Sequence, residues 1–309
     1  MGTPSRRSWP IHVALLLVQL AFAANAIVGK MAVSRAGVDP SALAFFRAAG
    51  GAVAFQLARL ALTRAREGQA KAAITIGDHG RFFAYAVLGV FVNQAFFLHG
   101  LKRSTATSTG LLAAAIPVFA AAIAALTRQE KTTARTAFAM ALATIGVLTL
   151  TGVRDISIGN LLVTVNSLAY AGYLVGVRPL LQKHGAITTI AWVFTYGALM
   201  LAFVGLGPAM RDAPTWSALA FELVGFCILV PTIFAYLANA WALERAKPSI
   251  VAGYIYLQPL LVTLSAAVYL GERLTVRLAA AGVAILTGVT IIATRATAAN
   301  KKVEAPASP

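Results

Sequence analysis

The chain has 309 residues, of which 59% are hydrophobic and only 12% are charged, and its formal net charge at pH 7 is +16. A soluble globular domain carries about 25% charged residues, so this composition leaves too few polar groups to cover a water-facing surface and excludes an ordinary soluble protein. The basic excess does not indicate a nucleic-acid-binding protein, because the Lys and Arg residues lie in short gaps between apolar runs instead of forming one exposed basic face.

Ten apolar windows follow one another along the chain, each of roughly the length that crosses a hydrocarbon core of about 30 Å. We predict that all ten are helices, because a bilayer satisfies backbone polar groups only within helices or closed barrels, and the alternation typical of barrel strands is absent. The predicted helices are 10–30, 40–60, 81–101, 105–126, 134–152, 157–178, 187–207, 217–242, 248–270 and 275–294.

The first window begins like a cleavable signal peptide, with Arg6 and Arg7 followed by an apolar stretch from Ile11. The apolar run continues through Gly29, however, and loss of this segment would leave nine helices. We therefore expect the first window to be retained as a transmembrane helix.

The distribution of basic residues predicts the topology. With the N-terminus taken as cytoplasmic, seventeen Lys and Arg residues fall on the cytoplasmic side and eight on the other side. The positive-inside rule then favours a multi-pass protein of the cell inner (plasma) membrane with both termini cytoplasmic. Residues 1–9 are predicted to be a cytoplasmic tail, and residues 295–309 a disordered cytoplasmic tail.

The chain contains an internal repeat. When residues 99–151 are shifted by 142 positions, about a dozen identities appear, among them Pro117 with Pro259 and Glu130 with Glu272. We predict a first five-helix repeat at 10–152 and a second at 157–294. Because five is an odd number, the second repeat must be inverted relative to the first, which is a common architecture of secondary transporters.

The two repeated prolines lie near the middle of predicted helices four and nine. A proline removes one backbone hydrogen bond and frees the carbonyl four residues earlier, here at Ala113 and Ile255. We interpret Pro117 and Pro259 as hinges beside a binding site at the bilayer midplane. The alternative is a tolerated membrane proline without a function.

The repeated acids Glu130 and Glu272 each follow their proline by thirteen residues, at the predicted membrane edge. A carboxylate suits a helix N-terminus, so we expect each of them to cap the helix that follows it. A role in gating or coupling is the alternative.

Polar residues within the predicted helices are costly in lipid unless they face protein or water. They are candidates for a substrate cavity, although each could instead form a hydrogen bond with another helix. The candidate cavity residues are Asn25, Arg47, Asn93, Gln94, Tyr170, Tyr173, Tyr236, Asn239, Tyr254 and Gln258.

Arg47 and Glu222 are charged residues within predicted helices that enter the membrane from the same side. Counted from Pro40 and from Pro214, the two residues have similar predicted depths in the membrane. An ion pair between them is one hypothesis, and the alternatives are that Arg47 reaches the interface and that Glu222 lies among the lipid headgroups. A further hypothesis places Arg47 in an outer vestibule, where it attracts carboxylate or phosphate groups. Glu222 is a candidate coupling residue, and proton coupling and facilitated exchange both stay open.

The sequence resembles the EamA family of the drug/metabolite transporter superfamily over essentially its whole length. The resemblance is carried by LHGLKRSTA at 98–106, Ile116–Phe119 and Glu130 in the first copy. In the second copy it is carried by ALERA at 242–246, QPL at 258–260 and GER at 271–273. Arg47, Asn93 and Gln94 also occur where members often place such residues, whereas Gln129 departs from the glycine expected before Glu130.

The resemblance implies an all-helical membrane protein of two inverted five-helix halves that exports or exchanges amino acids, metabolites or drugs. We therefore predict a secondary transporter that works by alternating access, with a small-molecule substrate, the lipid bilayer as its surroundings, no nucleic-acid partner and no cofactor. A non-transporting receptor or scaffold and a lipid-modifying membrane enzyme are the alternatives. The sequence contains no hydrolase or nucleotide-binding motif, and its single cysteine, Cys227, excludes a disulfide framework. Substrate, direction, coupling ion and oligomeric state, monomer included, stay open.

Overall fold

The computed structural model describes residues 9–65, 73–127, 134–151, 157–245, 254–255, 257–273, 275–287 and 290–291. Regular structure in these ranges consists of helices alone. The predicted tails at 1–8 and 295–309, the segment 152–156 between the repeats and Glu130 lie outside the described residues. Trp9, which was predicted to belong to the N-terminal tail, is already part of the first helix.

The described ranges contain fourteen α-helices with assigned bounds, in addition to helical residues at 254–255 and 290–291 and a 3₁₀-helix, Ala213–Thr215. Those before residue 152 are α1 (Trp9–Ser34), α2 (Pro40–Ala65), α3 (Ile76–Ala86), α4 (Asn93–Arg103), α5 (Ala106–Ala113), α6 (Ile116–Leu126) and α7 (Ala134–Thr151). Those after residue 157 are α8 (Ile158–Gly176), α9 (Arg178–His184), α10 (Ala186–Asp212), α11 (Ala218–Ile228), α12 (Ala235–Arg245), α13 (Leu257–Leu270) and α14 (Val276–Thr287).

Within the described ranges, seven helical stretches are long and apolar enough to cross a membrane. They are Trp9–Ser34, Pro40–Leu62, Ile76–Arg103, Ala106–Ile123, Ile158–Gly176, Ala186–Thr215 and Ala218–Arg245. Each overlaps one of the ten predicted windows, and the other three windows contain α7, α13 and α14. The chain is therefore a multi-span helical protein, and the count of ten spans stays a prediction.

Several helices begin where a hydroxyl side chain caps the first turn. Thr105, Ser157 and Ser217 each accept a hydrogen bond from the backbone N–H three residues later, at the starts of α5, α8 and α11. Such a bond satisfies one of the N–H groups that a helix N-terminus leaves without a partner. These caps explain why the helices begin at those residues.

Helices α2 and α10 form an extensive contact between the two halves of the chain, and glycines allow it. A Cβ atom on Gly205 would lie 2.4 Å from the backbone oxygen of Ser41, and one on Gly51 would lie 2.6 Å from the ring of Phe194. Small residues let two membrane helices approach closely, which is the main source of packing energy where lipid surrounds them. The two halves are therefore interlocked through α2 and α10.

Two π-helical segments interrupt the helical stretches at equivalent places in the repeat. The first π-segment, Val87–Val92, joins α3 to α4, and the second π-segment, Leu229–Phe234, joins α11 to α12. They are separated by 142 residues, the offset of the sequence repeat. π-Turns inside α-helices occur frequently at functional sites, and these two lie next to the cavity described below.

The predicted helix 105–126 is divided into α5 and α6 by a turn at Ala114–Ala115, directly before Pro117. Pro117 has no N–H to donate to the carbonyl of Ala113, so a regular helix cannot continue unbroken through this point. The interruption agrees with the position predicted for a hinge, and movement at Pro117 stays a prediction. In the second half, Pro259 lies within α13, and the residue equivalent to Ala114 lies outside the described residues.

Candidate functional site

A cavity of about 300 Å³ lies between helices of both halves. That volume is at the lower end of the range for small-molecule sites. Its polar lining residues are Gln19, Asn25, Arg47, Asn93, Gln94, Asn166, Tyr170, Arg178, Tyr236, Asn239 and Gln258. Its apolar lining includes Phe22, Phe97, Ala113, Ile116, Pro117, Ala120, Leu174, Val175, Leu243 and Ile255.

Eight of the ten residues nominated from the sequence line this cavity, and Tyr173 and Tyr254 do not. The ring of Tyr173 stacks on that of Tyr170 and lies against Gly89, where a Cβ atom would come within 2.5 Å of it. The hydroxyl of Tyr254 instead lies 2.9 Å from His12 Nδ1. Of the two predicted hinge prolines, Pro117 lines the cavity and Pro259 is buried beside it without lining it.

Arg47 is the buried cation of the cavity wall, with 3% of its surface exposed. Its Nε donates a hydrogen bond of 3.0 Å to Oγ1 of Thr232, in the second π-segment. The same hydroxyl donates at 2.8 Å to the carbonyl of Cys227, for which Pro231 has no N–H to offer. Because Pro231 leaves the carbonyl of Cys227 without its usual donor, that carbonyl can accept from the hydroxyl of Thr232. The hydroxyl in turn orients the guanidinium of Arg47.

The hypothesis of an Arg47–Glu222 ion pair is wrong. Glu222 is exposed on the surface of α11, whose buried face is formed by Leu223, Val224 and Cys227. Similar depth in the membrane does not bring two residues together when one of them points away from the bundle. The alternative that Arg47 reaches the interface is also wrong, because its side chain is buried. Glu222 does not line the cavity, and its role in coupling stays a prediction.

A chain of hydrogen bonds joins three cavity residues across the two halves. The hydroxyl of Tyr236 donates to Oδ1 of Asn93 at 3.0 Å, and Nδ2 of Asn93 donates to Oδ1 of Asn166 at 2.8 Å. Asn93 belongs to the first half, whereas Tyr236 and Asn166 belong to the second. For Asn93 and Tyr236, the alternative of bonding between helices is therefore correct, although both also face the cavity.

A second polar pair joins α1 to α13. Nε2 of Gln258 donates to Oε1 of Gln19 at 2.7 Å, and both side chains line the cavity. The Tyr254–His12 contact joins α1 to the described residues 254–255, which precede α13. Two polar contacts thus join α1 to this part of the second half.

Other buried polar atoms of the lining have no hydrogen-bond partner in the part of the chain that the structure describes. Both Nε2 and Oε1 of Gln94 are in this position, and the side chain is 1% exposed. Oδ1 of Asn25 is likewise buried without a partner. A buried polar group costs free energy when its hydrogen bond is not made, so these atoms favour a polar molecule in the cavity.

Contacts between the halves join the helices at the end of the bundle that carries Glu272. One carboxylate oxygen of Glu272 accepts from the backbone N–H of Ala106 at 2.7 Å. The other accepts from the backbone N–H of Thr107 at 3.0 Å and from its hydroxyl at 2.7 Å. The prediction that Glu272 caps the helix following it is therefore wrong. It caps α5 of the other half, while Thr275 caps α14, because the chain folds this loop onto α5.

Further contacts strengthen the same end. The Nζ atom of Lys30 donates to the backbone oxygens of Leu101 at 2.7 Å and Ser104 at 2.6 Å. The hydroxyl of Ser104 donates to Oδ1 of Asn160 in the second half. Arg35 donates to the backbone oxygen of Tyr269 at 3.1 Å. This set of contacts holds the helices together at the Glu272 end.

The cavity extends toward the opposite end, where Arg178 is the only exposed residue among its described lining residues. At this end, an ion pair of 2.7 Å between Asp78 and Lys183 joins α3 to α9. The exposed residue of the described lining therefore lies at the end of the bundle opposite the Glu272 contacts.

Sequence reasoning missed four polar residues of the site, namely Gln19, Asn166, Arg178 and Thr232. Gln19 and Asn166 carry the signal that identified the others, a polar side chain inside an apolar window. Arg178 was counted only as a topology signal. The position of Thr232 after Pro231 could have indicated a hydroxyl that bonds the carbonyl freed by the proline.

Comparisons with known proteins agree with this architecture. A model of the EamA-like transporter family matches residues 9–152 and again residues 157–294. The chain is 27% identical to an uncharacterized transporter of Archaeoglobus fulgidus, over 90% of this chain and 95% of that protein. It is 22% identical to Protein WALLS ARE THIN 1 of Arabidopsis thaliana, over 88% of this chain and 81% of that protein. It is 26% identical to the uncharacterized transporter YdfC of Bacillus subtilis, over 82% of this chain and 81% of that protein. A solved crystal structure shares the fold with a TM-score of 0.60 and 17% identity, over 93% of this chain and 98% of that one.

Proposed function

The chain belongs to the EamA-like transporter family, and from this membership we propose that it is a secondary transporter of small metabolites or amino acids. It exports them across the inner (plasma) membrane by alternating access, with the two halves moving around the shared cavity. No enzymatic activity is part of the proposal.

The observation that carries the proposal is a polar cavity between the halves whose exposed lining residue within the described ranges, Arg178, lies at the end opposite the Glu272 contacts. Contacts of Glu272 with α5 and of Lys30 with the α4–α5 turn close the other end. Alternating access requires such one-sided states. The seal consists of a few hydrogen bonds, those of Glu272 between the halves and those of Lys30 within the first half, which can be broken and re-formed during a transport cycle.

The proposed topology places both termini and the Arg178 end in the cytoplasm, as the distribution of Lys and Arg indicates. The described state then faces inward, and a cytoplasmic substrate enters past Arg178. Inversion of the second half relative to the first is part of the same proposal. It requires Glu130 and Glu272 to lie on opposite sides of the membrane.

Substrate flux tests the function directly. The purified protein is reconstituted into proteoliposomes loaded with single unlabelled amino acids or organic acids, and the entry of the labelled compound is followed. A transporter gives saturable counterflow for at least one compound. A receptor or scaffold gives none, and a lipid-modifying enzyme gives a chemical product instead. Absence of counterflow across the whole panel contradicts the proposal.

Cysteine accessibility tests the topology independently. The chain has one native cysteine, Cys227, which is buried, so a Cys227→Ser protein supplies a background for single cysteines. Cysteines placed at Glu130 and Glu272 should react with a membrane-impermeant maleimide from opposite sides. Reaction from the same side contradicts the inverted arrangement.

A further inference from the structure

We propose that the cavity binds its substrate through a carboxylate that pairs with Arg47, so that the preferred solutes are small organic monocarboxylates with an apolar body. The assignment of these solutes as transported substrates rests on the proposed function, whereas their binding can be tested without transport.

The first step is the charge of Arg47. An arginine side chain keeps its proton in proteins, and a buried charge without a partner is strongly unfavourable. Thr232 supplies one uncharged acceptor and no negative charge. Arg47 is absent from the ion pairs that the described residues form.

The acidic residues in the described ranges are exposed or already bonded elsewhere. Asp78, Asp212 and Glu244 form ion pairs with Lys183, Arg211 and Arg245, respectively. Asp39 accepts hydrogen bonds from the backbone N–H groups of Ser41 and Ala42. Glu272 caps α5, and Glu222 is exposed on the surface. A carboxylate on a bound solute would give Arg47 the counter-charge that these side chains do not provide.

The second step is the orientation of the guanidinium. Because Nε is bonded to Thr232, the edge formed by the two terminal nitrogens is left for a ligand. That edge matches the two oxygens of a carboxylate, and such paired hydrogen bonds are among the strongest polar contacts in proteins. Thr232 thus presents Arg47 in a fixed orientation.

The third step concerns the remainder of the solute. Phe22, Phe97, Ile116, Leu174 and Val175 give the cavity an apolar wall suited to an apolar body. Gln94 and Asn25 present buried atoms without partners, which can bond a further neutral polar group.

Charge balance separates the monocarboxylate from other solutes. No carboxylate is among the described lining residues, so the ammonium group of a zwitterion would meet only neutral oxygens. A phosphate dianion would exceed the single charge of Arg47, because Arg178, the other cation of the lining, is exposed to water. The cavity therefore favours a net charge of −1.

The experiment compares ligands with similar bodies and different head groups. Binding to the purified protein is measured by isothermal titration for 3-phenylpropanoate, 3-phenylpropanamide, L-phenylalanine and 2-phenylethyl phosphate, and for hexanoate with hexanamide. We expect at least one carboxylate to bind at least tenfold more tightly than its amide and than the zwitterion. Equal binding of acid and amide in both pairs, or no binding by any carboxylate, overturns the proposal. Tighter binding of L-phenylalanine or of the phosphate overturns the choice of a monocarboxylate.

Variants test whether Arg47 is responsible. Arg47→Gln should abolish the preference for acid over amide without lowering the melting temperature of the ligand-free protein, because the substitution removes an unpaired buried charge. A purely structural arginine would give the opposite result, a lower melting temperature and an unchanged preference. Arg47→Lys is a second variant in case the first does not fold. It should still bind the acid more tightly than the amide, but by a smaller factor than the unmodified protein. The matched control is Arg81→Gln, which makes the same substitution at an exposed position.

The two proposals can fail separately. Selective binding of a carboxylate without counterflow leaves the inference intact and contradicts transport. Counterflow that is insensitive to the head group and to Arg47→Gln supports transport and overturns the inference.

Discussion

The carboxylate of Glu272 accepts two hydrogen bonds from Thr107, one from its backbone N–H at 3.0 Å and one from its hydroxyl at 2.7 Å. The two residues belong to opposite halves of the chain. A negative charge at this position stabilises the N-terminus of α5 through its free N–H groups and its dipole. The contact thereby links the stability of one helix to the closure of one end of the cavity.

The first prediction concerns this contact. Glu272→Ala should destabilise the closed end by about 1–2 kcal/mol, the usual cost of losing a helix cap. A single cysteine at Asn25 in the Cys227→Ser background should then react faster with an impermeant reagent added from the Glu272 side. Glu244→Ala is the control, because the ion pair that Glu244 forms among the described residues is with its exposed neighbour Arg245. Unchanged reactivity in Glu272→Ala would contradict a sealing role.

The second prediction concerns Thr232. Thr232→Val removes the hydroxyl that orients Arg47, and a hydrogen bond to a charged group contributes about 1.5–3 kcal/mol. Binding of 3-phenylpropanoate should weaken by about ten- to hundredfold, as measured by isothermal titration. Thr232→Ser keeps the hydroxyl and should retain the affinity. No loss in Thr232→Val, or a loss in Thr232→Ser as large as that in Thr232→Val, would contradict an orienting role of the hydroxyl.

The third prediction concerns Gln19 and Gln258, whose hydrogen bond joins α1 to α13. Gln19→Leu and Gln258→Leu should each lower stability, and the double variant should lose less than the sum of the two. Hydrogen bonds between membrane helices contribute about 0.6 kcal/mol on average, so the coupling energy should be of that size. A double-mutant cycle in reversible unfolding measures it. A coupling energy of zero would show that the bond contributes nothing to the stability of this helix pair.

The fourth prediction concerns the packing of α2 against α10. Gly205→Ala places a methyl group 2.4 Å from the backbone oxygen of Ser41, which cannot rotate away as a side chain could. Overpacking of this kind costs about 1–3 kcal/mol, so the melting temperature should fall clearly. Gly207→Ala is the matched control on the same helix, because nothing lies within 4 Å of its added atom. Similar melting temperatures for the two variants would show that α2 and α10 move apart to accommodate the methyl group without a loss of stability.

Much of the site was predictable from residue type and position within an apolar window. Asn25, Arg47, Asn93, Gln94 and Gln258 were nominated because polar groups are costly in lipid unless they face protein or water, and all of them line the cavity. Tyr173 and Tyr254 were nominated by the same rule, but they turn toward Gly89 and His12 instead. The rule identifies side chains that avoid lipid, and it does not distinguish a cavity from a contact between helices.

The π-segments show a different limit. Their positions 142 residues apart follow the sequence repeat, yet the first contains Gly89 and the second contains Pro231 at the equivalent place. No shared residue at that place indicated a wider turn. The wider turn in each segment depends on how the helices on either side of it pack against their neighbours, which the local sequence does not specify.

The amino-acid sequence by itself determined the membrane-spanning helices, the internal repeat and the polar residues that avoid lipid, because hydropathy and residue spacing are local properties of the chain. Only the tertiary structure decided that Glu272 caps α5, that Glu222 points outward, and that Arg47 is held by Thr232 beside a cavity. Those outcomes depend on which helix faces meet, and that choice is made by packing among residues far apart in the chain.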